Sequence, residues 1–233
     1  MVIDFNKDWS FQKEGGPWQR IDLPHDAMLL KKRDCGCRNG INTGYFPGGK
    51  YRYQKAFELP KSAIGQSVIL HFEGVYQNCT VSVNGTHVSS HRYGFTAFDV
   101  DISNAVKPGD NTITVQVDNS LEPNCRWYSG SGIYRPVQLW IRNPDHIEAV
   151  HIETLSIDPP QIKVDVSATG KAPVSVEILE NDTVVADGKP GVIPISGGKL
   201  WSAESPFLYT CVVKTDTDEQ RLRFGIRMLK WSA

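Results

Sequence analysis

The stretch Thr80-Val81-Ser82-Val83-Asn84-Gly85-Thr86-His87-Val88-Ser89-Ser90 predicts a β-hairpin. Two runs rich in valine, threonine and serine flank an Asn-Gly pair. A two-residue hairpin turn prefers Asn-Gly because both turn positions need a positive φ. This is the strongest hairpin signal in the chain, and it predicts antiparallel sheet.

Alternating side chains extend the β prediction on both sides of the hairpin. In residues 51–59, apolar Tyr51, Tyr53, Phe57 and Leu59 share one face, with Lys55 as the exception. Short apolar or alternating runs also occur at 68–72, 113–117 and 137–141. No segment has a sustained helical period, and glycine, proline and Asn-Gly turns recur. The sequence therefore predicts an all-β protein.

The chain is too long for a single β-sandwich. It has 233 residues, and domains cluster near roughly 100–150 residues. A polar segment, Arg142-Asn143-Pro144-Asp145-His146, follows the last strand of the first half, and alternation resumes at 162–166 and 174–178. We predict two sandwich domains, at residues 1–144 and 145–233.

Charge and hydropathy exclude some classes of partner. The formal net charge is −1, which gives no electrostatic case for nucleic acid or an anionic membrane. No apolar run approaches the roughly 20 residues that span a bilayer. Residues 1–9 lack the basic start and apolar core of a signal peptide. We expect a cytoplasmic protein, or a periplasmic or secreted one if a signal has been trimmed.

The five cysteines are an odd number, so they cannot all pair within one chain. Cys35 and Cys37 are too close for an ordinary bridge, and Cys79 and Cys211 lie in strand-like runs. Free thiols in a reducing compartment are the simplest interpretation. A zinc half-site at Cys35 and Cys37 has no second Cys/His pair at a suitable spacing, so no metal site is expected.

Residues 126–135, Arg-Trp-Tyr-Ser-Gly-Ser-Gly-Ile-Tyr-Arg, combine three aromatics with two arginines, two serines and two glycines. Aromatic faces suit the apolar C–H groups of sugar rings, and arginine and serine hydrogen-bond hydroxyls. The same composition fits a core loop with buried aromatics and glycine turns. The sequence leaves both interpretations of this 126–135 loop open. In a sugar-binding module, Trp127, Tyr128 and Trp140 are the candidate exposed aromatics.

The 126–135 loop resembles the signature of glycoside hydrolase family 2, which contains β-galactosidases, β-glucuronidases and β-mannosidases. Other blocks resemble this family in the same order and cover essentially the whole chain. They are the segments at 23–26 (Leu-Pro-His-Asp), 43–53, 72–76, 83–85, 109–111, 200–209 and 224–227 (Phe-Gly-Ile-Arg). The blocks look most like those of the β-galactosidase-type branch.

The resemblance implies a jelly-roll, galactose-binding-like sandwich followed by an immunoglobulin-like sandwich. In the family a (β/α)₈ barrel follows and carries two catalytic glutamates, one of them after an asparagine. No Asn-Glu pair occurs in these 233 residues. Trp231 resembles the family's run into the barrel. The resemblance thus implies no catalytic residue and no cofactor in this chain, and a divalent or monovalent cation only in the barrel.

The resemblance also implies which residues face the barrel's sugar pocket. Candidates for substrate binding are Asp26, Asn42, Arg126, Trp127 and Tyr128. Three of these residues, Asp26, Asn42 and Arg126, also have an alternative interpretation.

Asp26 equally fits a turn cap, and Asn42 a turn asparagine for which Asn39 competes. Glu122 competes with Arg126, since related enzymes use an acidic residue near this point. Arg126 would instead bind a carboxylate or form a salt bridge to the barrel. Arg135 is expected to satisfy buried carbonyls or an acidic neighbour, while Ile133 and Tyr134 point into the core.

Three functional classes follow. The first is the non-catalytic N-terminal portion of a retaining exo-β-glycosidase, most simply a β-galactosidase. The expected partners are then a β-galactoside, the barrel domain and a second copy of the chain. The others are a free-standing carbohydrate-binding module and a structural spacer. A reading frame that continues for several hundred residues favours the first.

Overall fold

The computed structural model describes residues 1–29, 31–121, 124 and 126–229. It is all-β, as the sequence predicts, and it contains two compact units, Met1–Arg142 and Asn143–Ala233. Apart from two short 3₁₀ helices, Gly40–Thr43 and Lys61–Ala63, the regular structure of the described residues consists of strands. Each unit has its own hydrophobic core.

The first unit is a jelly-roll-type sandwich of two antiparallel sheets. Its strands are β1 (Val2–Asp4), β2 (Trp9–Lys13), β3 (Trp18–Ile21), β4 (Gly49–Leu59), β5 (Ser67–Phe72), β6 (Cys79–Val83), β7 (Thr86–His91), β8 (Phe98–Asp101), β9 (Gly109–Asn119) and β10 (Val137–Arg142). A six-stranded sheet has the order β3-β2-β4-β9-β6-β7, and a four-stranded sheet has the order β1-β10-β5-β8.

The predicted hairpin is formed by β6 and β7. Asn84 and Gly85 have φ values of 51° and 84°, the positive values that this turn requires. The Asn84 side chain also fastens the turn to β9, because its Oδ1 accepts from Thr112 N at 3.0 Å. The hairpin thus extends the six-stranded sheet at one edge.

The core of the first unit follows the predicted alternation. On β4, Tyr51, Tyr53 and Leu59 are buried, whereas Arg52 and Glu58 are exposed. Side chains from both sheets fill the space between them, as an aligned sandwich requires. The largest fully buried members are Trp9, Tyr53, Phe72, Leu59, Leu70, Ile102, Ile113 and Ile133.

The second unit is an immunoglobulin-like sandwich. Its strands are β11 (Ile147–Ile157), β12 (Pro160–Ala168), β13 (Ser175–Glu180), β14 (Thr183–Gly188), β15 (Gly191–Pro194), β16 (Tyr209–Lys214) and β17 (Glu219–Phe224). They form sheets ordered β11-β12-β15 and β14-β13-β16-β17. Of the alternating residues predicted at 162–166 and 174–178, Ile162, Val164, Val176 and Ile178 are buried in its core, whereas Val166 and Val174 are only partly buried against it.

The cysteines allow a simple chemical check of the two cores. Cys35, Cys37, Cys79 and Cys211 are free thiols, and Cys125 lies outside the described residues. Burial raises the pKa of Cys79 and of Cys211 to about 11. In the folded chain at about pH 8, iodoacetamide should therefore modify Cys35 and Cys37 first, because the thiolate is the reactive form.

Peptide mass spectrometry after timed alkylation measures this difference. Denatured protein, in which all thiols react, is the control. Alkylation of Cys79 or Cys211 in the folded chain at the rate of Cys35 would contradict the described burial.

Candidate functional site

The 126–135 loop lies against the segment 23–28, which contains the early Pro-His-Asp motif. His25 N donates to Ile133 O, and Ala27 N donates to Ser131 O, both at 2.8 Å. These bonds place the two segments side by side. Two motifs that the sequence presents far apart are therefore one structural unit.

Asp26 is the residue that joins this unit. Its Oδ1 accepts from Met28 N and from Ser131 N, both at 2.9 Å, and its Oδ2 accepts from the Tyr128 hydroxyl at 2.7 Å. The bond to Met28 closes a local turn, which is the turn-cap alternative. The other two bonds hold a loop about 105 residues away in sequence. Hydrogen bonds to a charged carboxylate are among the stronger ones in proteins.

The first three residues of the loop are exposed. Trp127 is 60% exposed and Tyr128 is 38% exposed, and Arg126 is also exposed. The Tyr128 ring meets Phe46 edge to face, with 5.2 Å between centroids, and the Arg33 guanidinium lies over Phe46. Partial burial is the main cause that raises the pKa of Tyr128, and the hydrogen bond to Asp26 raises it further. The loop therefore exposes an arginine and two aromatic rings, while its hydrogen bonds to Asp26 hold it in place.

A chain of asparagines supports the loop from below, and sequence reasoning missed it. Asn119 is fully buried, and its Nδ2 donates to Ser131 Oγ and to Gly130 O. Asn124 donates from Nδ2 to Asn119 Oδ1, and the Tyr76 hydroxyl donates to Asn124 Oδ1 at 2.7 Å. Asn119 is the last residue of β9, at a position where the alternation of the strand places its side chain in the core. This alternation is the sequence signal that could have identified it.

The two competing asparagines near residue 40 lie in different environments. Asn39 is 1% exposed, and its Oδ1 accepts from Asn124 N at 2.7 Å. Asn42 is exposed on the first 3₁₀ helix. Asn39 thus belongs to the buried hydrogen-bond network beneath the 126–135 loop, whereas the side chain of Asn42 is exposed to solvent.

His25 points into the sandwich, away from the exposed end of the loop. Its Nδ1 lies 2.9 Å from the Tyr53 hydroxyl, and its ring packs against Phe11. Burial lowers the pKa of His25, and the nearby Asp26 carboxylate opposes that shift. His25 and Asp26 therefore do not form an acid/base relay.

The second half of the loop leads into β10, which begins at Val137. Ile133 is fully buried, as predicted. Tyr134 is only half-buried, and its hydroxyl donates to Gly94 O at 2.7 Å. The expectation for Arg135 is wrong: it is exposed, and its guanidinium lies over the Tyr134 ring, 5.4 Å from the centroid. Among the described residues it has no carboxylate partner.

Trp140 does not join the exposed aromatics of the loop. It lies on β10, where its ring stacks on His71 with 4.4 Å between centroids. The Arg142 guanidinium lies 4.2 Å from the Trp140 centroid. Protein groups thus cover this ring. Glu122 and Trp231 lie outside the described residues.

The exposed end of the site offers hydrogen-bonding groups of both kinds. Asp26 Oδ2 has one hydrogen bond and can accept another, and Arg126 adds donors. Within the described ranges, no group of three or more His, Cys, Asp or Glu could hold a metal ion. None of the helices described is long and apolar enough to cross a membrane.

Two family models match the chain in tandem. The model for "Glycosyl hydrolases family 2, sugar binding domain" matches residues 42–144, and the model for "Glycosyl hydrolases family 2" matches residues 146–227. The two matches correspond to the first and second sandwiches. Together they cover most of the chain.

Curated relatives are longer glycosidases. The chain is 35% identical to a putative β-glucuronidase from Formosa agariphila over 98% of its own length and 25% of that protein. It is 31% identical to a β-galactosidase from Bacteroides ovatus over 93% of its own length and 30% of that protein. The chain thus spans a quarter to a third of the length of these relatives.

A solved structure gives the same result for the fold. The crystal structure of a β-glycosidase from Bacteroides vulgatus matches 99% of the chain with a TM-score of 0.85 and 28% identity, and the match covers 34% of that structure. Sequence models, curated relatives and structure agree on both domains. The chain therefore belongs to glycoside hydrolase family 2.

Proposed function

We propose that this chain is the non-catalytic N-terminal portion of a retaining exo-β-glycosidase. The carrying observation is that both sandwiches match the family in order while spanning only a quarter to a third of the relatives' length. In this proposal the two glutamates that act as nucleophile and acid/base lie on a barrel domain outside these 233 residues.

The 126–135 loop is proposed to face the sugar site of that barrel. Its exposed Arg126, Trp127 and Tyr128 supply donors and ring faces, and Asn42 adds an exposed amide. Asp26 holds the loop by accepting from Tyr128 and Ser131. An isolated domain that exposes such aromatics has surface available for another domain or a ligand.

The proposed substrate is a terminal β-galactoside, with a β-glucuronide as the second candidate. The galactoside rests on the resemblance to the β-galactosidase-type branch and on the relative from Bacteroides ovatus. Two observations favour the glucuronide: the Formosa relative carries that name, and exposed Arg126 has no ion pair among the described residues. A guanidinium pairs well with the carboxylate that a glucuronide carries.

We expect the 233-residue chain alone to hydrolyse no glycoside, because the described site has no nucleophile and acid/base pair. The assay is nitrophenol release from aryl β-galactoside, β-glucuronide and β-mannoside at high protein concentration. Turnover above the buffer rate that survives repurification would contradict the proposal.

The choice between the β-galactoside and the β-glucuronide is tested by kinetics of the complete gene product. A kcat/KM higher for the aryl β-galactoside than for the β-glucuronide supports the first candidate, and the reverse order supports the second. In the second case Arg126→Ala should reduce glucuronide turnover selectively. If the complete gene product hydrolyses none of the aryl β-galactoside, β-glucuronide and β-mannoside, and the chain alone binds galactose tightly, a free-standing binding module would be favoured.

A further inference from the structure

The segment 34–37, Asp-Cys-Gly-Cys, is a tight turn that contains two free thiols. Cys37 N donates to Asp34 O at 3.1 Å, which closes the turn, and Gly36 N donates to Asp34 Oδ1 at 2.8 Å. Cys35 is exposed and Cys37 is partly buried. Two accessible thiols therefore flank a single glycine in a turn with a hydrogen-bonded backbone.

The turn brings the two cysteines within reach of a disulfide. A disulfide joins Cα atoms that are about 4.4–6.8 Å apart. Two residues of fully extended chain span roughly 7 Å, and a turn shortens that span. A bridge between Cys35 and Cys37 closes a small, strained ring, and strained or exposed disulfides are the readily reduced ones. The pair thus suits a reversible bridge and not a permanent structural one.

The other two described thiols are protected from the same chemistry. Cys79 is 2% exposed and Cys211 is fully buried. Burial also raises the pKa of each to about 11, so the reactive thiolate is scarce near neutral pH. Among the described thiols, oxidation by a dissolved reagent is therefore confined to the 34–37 turn.

Exposed basic side chains flank the turn. Lys32, Arg33 and Arg38 are exposed, and none of them forms an ion pair within the described part of the chain. Asp34 is the single acidic residue between positions 32 and 38. An excess of positive charge attracts anionic reactants and speeds their approach. A disulfide that carries carboxylates, such as glutathione disulfide, therefore fits this surface.

The turn leads directly into the hydrogen-bond network beneath the 126–135 loop. Asn39 is 1% exposed, and its Oδ1 accepts from Asn124 N at 2.7 Å. Cys37 lies two residues before Asn39, and its backbone O accepts from Gly40 N at 3.0 Å. A bridge that moves Cys37 therefore displaces the backbone that holds Asn39 in place.

We propose that Cys35 and Cys37 form a reversible disulfide in exchange with glutathione disulfide, and that this bridge loosens the support of the 126–135 loop. The exposed Cys35 thiolate attacks one sulfur of glutathione disulfide, which forms a mixed disulfide and releases one glutathione thiolate. The Cys37 thiolate then attacks the Cys35 sulfur, so that the intramolecular bond forms and the second glutathione thiolate leaves.

The two protons of the protein thiols end on the two glutathione molecules, and excess glutathione reverses both steps. Glutathione disulfide is the oxidant, and the dithiol of the turn is oxidised. The proposal does not depend on the proposed glycosidase function, and the 233-residue chain is sufficient to test it.

The test is incubation of the folded chain with glutathione disulfide, followed by blocking of the remaining thiols with iodoacetamide, trypsin digestion and mass spectrometry. Cleavage after Arg33 and Arg38 releases residues 34–38, which contain Cys35 and Cys37 and no other cysteine. We expect this peptide unalkylated and lighter than the dithiol by two hydrogens, and excess glutathione should restore the dithiol. The rate of bridge formation should fall as salt is added, because salt screens the attraction of an anionic reactant.

Amide hydrogen exchange measures the effect on the loop's support. In the bridged chain, the Asn124 amide should exchange about tenfold faster, as expected for loss of its hydrogen bond to Asn39. Cys37→Ser is the matched control, because it keeps the size of the side chain but can form only a mixed disulfide at Cys35. It should gain one glutathione at Cys35 and keep the exchange rate of the unmodified chain at Asn124.

Three results would overturn the proposal. The first is a wild-type chain that accumulates mixed disulfides without the bridged 34–38 peptide. The second is a bridge from either thiol of the turn to Cys125 or to another chain. The third is an unchanged exchange rate at Asn124 in the bridged chain. A rate of bridge formation that is independent of salt would overturn the anionic class of oxidant.

Discussion

Replacing Gly132 with alanine is expected to destabilise the first domain severely. Gly132 has φ = +102°, and a Cβ there would lie 2.0 Å from the Tyr53 hydroxyl oxygen and 3.2 Å from His25 O. Tyr53 is fully buried, so it has no room to move. Gly132 also exchanges two backbone hydrogen bonds with Tyr76, of 2.8 and 3.0 Å, so its own backbone is fixed.

Overpacking and a strained φ together should cost more than about 4 kcal/mol, against a typical total stability of about 5–15 kcal/mol. Urea unfolding of the first domain should have a much lower midpoint in the variant than in the wild type. Gly15→Ala is the matched control: Gly15 has φ = +72°, but a Cβ there meets no atom within 4 Å. A Gly132→Ala chain as stable to urea as Gly15→Ala would contradict the described packing.

Replacing Asp26 with alanine is expected to lower the free energy of unfolding of the first domain by about 3 kcal/mol. The carboxylate accepts three hydrogen bonds, and its loss leaves the Ser131 amide without its partner in a fully buried residue. The 126–135 loop should then move more freely, because both of its bonds to Asp26 are lost. Urea unfolding measures the first effect, and amide exchange at Ser131 measures the second.

Asp26→Asn is the control that keeps the shape of the side chain. Its amide oxygen can still accept from Met28 N and Ser131 N, and its NH₂ group can donate to the Tyr128 hydroxyl. We expect it to retain most of the stability. Equal losses in Asp26→Asn and Asp26→Ala would show that charge, and not hydrogen-bond geometry, dominates. No loss in Asp26→Ala would contradict the anchoring role.

Local patterns predicted much of the fold. The Asn-Gly turn and the alternation on β4 and β9 each depend on neighbouring residues, and each appears in the structure at its expected place. The division of the chain into two sandwiches follows from length and from a polar break. The edge strands β1 and β14 are short or largely exposed, so they carry little apolar pattern and were not predicted.

The candidate site was harder to predict because long-range contacts build it. Asp26 and Tyr128 are 102 residues apart, and no periodicity shows that they share a hydrogen bond. Burial separates Asn39 from Asn42, and burial depends on the packing of the whole loop. Arg135 was expected to satisfy buried carbonyls or an acidic neighbour, yet it is exposed and lies over the Tyr134 ring.

The proposal that the 126–135 loop faces the sugar site of a glycosidase is tested most directly by the kinetics of the complete gene product. Trp127→Ala should lower kcat/KM about tenfold, which corresponds to about 1.4 kcal/mol of lost transition-state binding. Its thermal midpoint should be unchanged, because Trp127 is 60% exposed. Trp18→Ala, at an exposed tryptophan on β3, is the control and should keep wild-type kinetics. An unchanged kcat/KM in Trp127→Ala would contradict the proposed role of the loop.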